Sequence, residues 1–142
     1  MKVFRSEDAK AAMVRLLPGS DLLGGLNETA AELGFEAATV QIVGAVRCLA
    51  VAYFDQGTKR YDEPHRFETS MEISGGLGNV SLKDGKPFVH IHVTGADRQG
   101  RAYAGHLVEG TEVYMIEAYF RVFDGDAPVR EFDEEVGLPV WH

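Results

Sequence analysis

The chain has 142 residues, enough for one domain with a sizeable core and too few for two. Apolar residues make up 45% and charged residues 25%, and no apolar run is long enough to cross a membrane as a helix. The balance of 14 basic against 22 acidic residues leaves a net charge of −8, with no basic cluster longer than Lys59-Arg60. Direct binding to nucleic acid, which draws on phosphate neutralisation, is therefore disfavoured.

The opening Met1-Lys2-Val3-Phe4-Arg5 has basic residues but no apolar region after them, so no secretory signal is expected and a cytoplasmic location is. Ser6 to Leu17 is ambiguous between a capped helix and a strand; the half from Ala12 onward is read as strand. Pro18-Gly19-Ser20-Asp21 then turns into a helix, with Ser20 as the expected N-cap and Asp21 in the first turn. Leu22, Leu26, Ala30 and Leu33 recur at helical spacing, and Gly34 is a natural stop.

Phe35 to Val43 and Ala45 to Phe54 read as two buried strands broken at Gly44. The single Cys48 lies in the second and is expected to be a buried, inert thiol. Asp55 to Pro64 is a polar loop. Strand signals resume over Arg66 to Ile73 and Asn79 to Leu82. Between them, Gly75-Gly76-Leu77-Gly78-Asn79 suits a bulge or tight turn better than a phosphate cradle, because no helix follows it. Asp84-Gly85 supplies a hairpin turn into Pro87 to Thr94. Arg101 to Leu107 and Thr111 to Val122 complete the sheet, and beyond Phe123 the chain turns acidic and irregular.

The most informative residues are His90, His92 and His106, three of only five histidines in the chain. On a strand, side chains alternate between faces, so His90 and His92 share one face while Val89, Ile91 and Val93 share the other. Their Cβ atoms then lie roughly 6.5–7 Å apart, close enough for both imidazoles to converge on one ion. The turn signal Asp97-Arg98-Gln99-Gly100 can fold His106 back beside them. Three nitrogen ligands with a fourth position open have the composition of a reactive zinc site. Ordinary hydrogen-bonded histidines remain the bland alternative. His65, in a charged loop, and His142, the last residue, are assigned no role.

In this order along the chain occur Asp21-Leu22, Gly34, Ile42-Val43-Gly44-Ala45, Glu72-Ile73 and Gly78-Asn79. Asp84-Gly85-Lys86-Pro87, His90-Ile91-His92-Val93 and Gly105-His106-Leu107 follow. Together they resemble the plant-and-prokaryote-conserved (PPC) domain over about Ala12 to Val122. Ala104 departs from the family, which usually has a second glycine there, and Ser74 to Leu77 is richer in glycine than usual. The resemblance implies a compact α+β domain of mostly antiparallel sheet with one main helix, assembled as a homotrimer. The expected layout is one domain over residues 1–142, with a core of about 12–122 and an acidic tail at 123–142.

Plant members join AT-hooks that carry the DNA contact, which is why bacterial ones are often described as DNA-binding. No such Arg-Gly-Arg-Pro core exists here. The fold is also distantly similar to α-acetolactate decarboxylase, whose zinc is held by a His-x-His pair and a later histidine. Carried over, this implicates His90, His92 and His106 as metal ligands, with zinc expected and another divalent transition metal compatible.

Two functions follow: a metal-binding homotrimer acting as a regulatory or interaction module, or a zinc hydrolase or decarboxylase-like lyase acting on a small carbonyl compound or ester. The second needs a proton acceptor near the metal. Strand alternation puts Glu68, Ser70 and Glu72 on one face, and Glu72 is the candidate catalytic carboxylate, against a structural or solvated role. Glu112 and Glu117 face the same alternative. Arg98 and Arg101, at the turn between ligand strands, could hold an anionic substrate or simply be solvated.

Overall fold

Asp21 opens the one helix of the fold, α1 (Leu22–Leu33). In the computed structural model, which describes Met1–His142, its carboxylate accepts the Gly24 N–H at 2.8 Å and the Gly110 N–H at 2.7 Å. The cap is thus Asp21 and not Ser20, whose hydroxyl is spent one step earlier, donating to the Leu17 carbonyl. Gly34 ends the helix in the left-handed conformation, φ +69°, which glycine adopts without a Cβ penalty.

Thirteen strands accompany that helix, in chain order β1 (Lys2–Arg5), β2 (Ala11–Arg15), β3 (Ala38–Val46), β4 (Leu49–Ala52), β5 (Phe54–Asp55), β6 (Arg60–Tyr61), β7 (His65–Phe67), β8 (Met71–Lys83), β9 (Lys86–Ala96), β10 (Ala102–Leu107), β11 (Val113–Val122), β12 (Arg130–Asp133) and β13 (Leu138–Trp141). Nine of them make one antiparallel sheet in the order β1-β2-β11-β3-β8-β9-β10-β4-β7. The α+β expectation holds, as does the strand reading of the half of the ambiguous segment from Ala12.

Several local readings change. Gly44 does not break β3; it sits within it at φ +141°, where a Cβ would lie 2.0 Å from the Met115 carbonyl. The glycine-rich stretch is likewise inside one long strand, β8, with an irregularity between Ile73 and Gly75. Gly76 and Gly78 are needed there, since a Cβ on either would lie under 2.5 Å from Ile42 or from the His90 carbonyl. The polar loop contains the small β5–β6 hairpin, and the acidic C-terminal segment forms the β12–β13 hairpin.

The sheet has a dry face and a wet face. On β9, Val89, Ile91 and Val93 are 1–2% exposed and join Leu22, Leu26 and Ala30 of α1 in one core. Each fully buried side chain of this size contributes about 1.5–3 kcal/mol. Asn27 ties helix to strand by accepting the Val89 N–H through its side-chain oxygen at 2.9 Å. His90 and His92 therefore point to the opposite face, away from the helix.

Candidate metal centre

His92 of β9 pairs directly with His106 of β10, and His90 lies two residues further along β9. The turn that folds β10 back is held by Asp97, whose carboxylate accepts the backbone N–H groups of Gln99 and Arg101. Ring centroids are 5.1 Å apart for His90–His92, 5.1 Å for His90–His106 and 5.6 Å for His92–His106. One ring nitrogen from each lies within 4.8 Å of the others, a group that can hold a metal ion.

Two observations test the fit of a metal. Nδ1 of His106 is buried with no hydrogen-bond partner, and a buried polar atom without a partner is costly unless something absent from the chain satisfies it. The donor set is also ready. The pKa values of His90 and His106 are lowered to about 4, chiefly by burial, with the charge of Arg130 and the neighbouring histidines adding to it. Both imidazoles are then neutral at pH 7, with a lone pair to offer.

The surroundings come from parts of the chain in which the sequence showed no site. The β5–β6 hairpin lays Tyr61 over His106, centroids 5.0 Å apart. The β12–β13 hairpin delivers Arg130. Its Nε donates to Ser81 Oγ at 2.8 Å, Nη1 to the Pro139 carbonyl at 3.0 Å and Nη2 to Asn79 Oδ1 at 3.0 Å. Nη2 also comes within 3.4 Å of His90 Nδ1. Tyr61, Phe88, His90, His106, Arg130 and Pro139 line a cleft of about 190 Å³. The one sequence cue to this second hairpin was two short apolar-containing runs flanking Gly137, which adopts φ +77°.

Glu72 is not brought to the histidines within the chain. It pairs with Ala96, four positions from His92 along β9 and therefore roughly 13 Å away at ~3.3 Å per residue. Through that pairing it shares their face but not their level. The expected single strand over Arg66 to Ile73 is broken between β7, which ends at Phe67 and pairs with β4, and β8, which begins at Met71, so Glu68 and Ser70 do not share a strand face with Glu72. Glu68 pairs with Arg66, and Glu112 with Arg47. Glu117 lies opposite Val43 and Arg15, far across the sheet. Arg101 is engaged by Asp97 at 2.8 Å and Arg98 is exposed in the turn. Cys48 is buried as expected, accepting from Arg66.

A nine-stranded antiparallel sheet carrying one helix on its dry face and three convergent histidines on the other defines the class of protein. The chain matches the Plants and Prokaryotes Conserved (PCC) domain over residues 4–124 and belongs to that family. It is similar to the metal-containing protein of Archaeoglobus fulgidus, at 41% identity and a TM-score of 0.88, covering 100% of this chain and 99% of that one. A plant- and prokaryote-conserved (PPC) protein of Pyrococcus horikoshii is 30% identical with a TM-score of 0.87, covering 99% and 93%. The bifunctional protein GlmU of a Synechococcus strain is 36% identical over 102 residues, 71% of this chain. The match spans only 15% of the length of that curated relative.

Proposed function

We propose that this chain is a metal-binding PPC protein, with zinc held by His90, His92 and His106. The buried, partnerless His106 Nδ1 within a converging histidine triad carries the reading. The Archaeoglobus fulgidus protein, which is metal-containing and 41% identical across the whole chain, supports it. Zinc with neutral nitrogen ligands keeps its full charge, so when bound it would supply Lewis-acid polarisation or an acidified water. Tyr61 covers one side of the triad, while Arg130 and the cleft lie on another.

The proposed assembly is a homotrimer. A single level of the sheet runs from Phe4 through Met13, Tyr119, Gln41 and Leu77 to His92. Phe4, Met13 and Leu77 are 65%, 59% and 68% exposed, an apolar row of the kind that marks protein interfaces.

Metal content of the untagged, freshly purified protein is the test. About one zinc per chain in the parent, and none in a His90→Ala, His92→Ala double variant, is the expected result. A folded parent free of metal would make the histidines structural and sink the reading. A second role, a zinc hydrolase or decarboxylase-like lyase for a small carbonyl compound or ester, is favoured by the cleft opening onto His90 and His106. A substrate screen of the zinc-loaded protein decides it.

A further inference from the structure

Arg130 is a half-buried cation with no anion. The chain's ion pairs join Lys10 to Asp124, Arg47 to Glu112, Arg66 to Glu68 and Arg101 to Asp97. Arg130 is in none of them, and its partners are a serine hydroxyl, an amide oxygen, a carbonyl and, at 3.4 Å, the His90 imidazole, all neutral. A buried charge is ordinarily paired, because desolvation is costly without a counter-charge. Here the guanidinium is instead fixed in place: of its five N–H donors three go to protein oxygens and a fourth faces His90 Nδ1 at 3.4 Å.

The cleft beside it holds no carboxylate. Its other cation is Lys83, whose Nζ lies 5.1 Å from the Phe88 ring centre while Arg130 Cζ lies 5.5 Å from the same centre. Both cations therefore lie against one aromatic ring and line the same cleft. Nearly half of the lining is apolar, with Leu138, Pro139 and Val140 joining Phe88. A volume of about 190 Å³ is below the range of drug-sized ligand sites, roughly 300–1,000 Å³.

We propose that this cleft binds a small organic carboxylate, its oxyanion held by Arg130 and Lys83 and its short carbon chain laid along Phe88 and Leu138 toward the histidines. The one guanidinium N–H left over and the Lys83 ammonium each offer a charge-assisted donor to a carboxylate, and the apolar half of the wall favours a ligand with a carbon tail over a bare inorganic anion. This deepens the metal reading by naming the class of ligand beside the triad, yet it needs only Arg130 and Lys83 to be tested.

The experiment is calorimetric titration of the full chain with butyrate, acetate and inorganic phosphate, in zinc-loaded and chelator-treated forms. Quenching of Trp141, the sole tryptophan, whose ring lies 5.6 Å from Arg130 Cζ, gives a second readout. Butyrate is expected to bind saturably in both forms and more tightly than acetate or phosphate. Arg130→Met should weaken it by about tenfold or more, and Arg130→Lys should restore part of it. If Arg130→Met does not fold, Lys83→Met, outside the Arg130 hydrogen bonds, should still weaken binding about threefold. Saturable binding to a protein that takes up no zinc would uphold the anion site and leave the metal reading to fail alone. Zinc uptake with no carboxylate binding in either form would overturn the anion site, as would phosphate binding tighter than butyrate or a folded Arg130→Met that binds unchanged.

Discussion

Nη2 of Arg130 lies 3.4 Å from Nδ1 of His90, although the two residues are forty positions apart in the chain. An arginine donates and never accepts, so the His90 nitrogen facing it is held in the accepting, unprotonated form. That contact joins the triad to the C-terminal hairpin.

Removing the metal should cost stability. A ligand that binds only the folded chain adds about 2.7 kcal/mol at one hundred times its Kd, roughly 5–10 °C in Tm for a chain of this size. Scanning calorimetry of zinc-loaded and chelated protein checks this. His92→Ala should remove the difference without lowering the Tm of the chelated form, because His92 is exposed.

Acid should destabilise the metal-free protein over a defined range. His90 and His106 have folded pKa values of about 4 against an ordinary 6.5. The unfolded chain therefore binds more protons between those values, and stability falls as pH drops through them. Above pH 6.5 the contribution is fully present. Urea midpoints should decline from pH 6.5 to 4, and a His106→Gln variant should show a shallower decline over the same range.

Gly78→Ala should damage both fold and site. A Cβ there would meet the His90 carbonyl at 2.2 Å and Ile91 Cα at 2.7 Å, both backbone atoms of the ligand strand. Overpacking of this kind costs about 1–3 kcal/mol. A loss of stability accompanied by loss of bound zinc is the expected pair of results, measured by urea unfolding and metal analysis.

The two faces of β9 should separate by mutation. Ile91 is 1% exposed in the core, so Ile91→Ala should cost about 2–5 kcal/mol in denaturant unfolding while the folded fraction keeps its metal. His92→Ala should do the reverse.

Glu72→Gln should leave zinc content unchanged, since Glu72 pairs with Ala96 and not at the level of the histidines. A drop in bound zinc would show that a neighbouring copy brings this carboxylate to the site.

Much of this was legible in the residues themselves. Strand alternation is a local property, so Val89-His90-Ile91-His92-Val93 is enough to define a dry face and a ligand face. The Asp84-Gly85 turn and the Asp97 to Gly100 turn likewise declare that β8, β9 and β10 are neighbours. Glycine was harder to read. Gly44 and Gly76 resemble breaks in the sequence, but they serve close approach between strands, a demand set by the partner strand and not by the glycine's neighbours.

For Glu72 neither the break that separates it from Glu68 and Ser70 nor its level along the sheet was readable, because level depends on register between strands and a period of two carries no register. The placing of Tyr61 and Arg130 was further out of reach. Each rides on a short hairpin in a polar segment, and only docking against His106 and β8 gives that hairpin its position. Local patterning could write the histidines onto one face of one strand. Long-range packing alone set an unpaired guanidinium beside them.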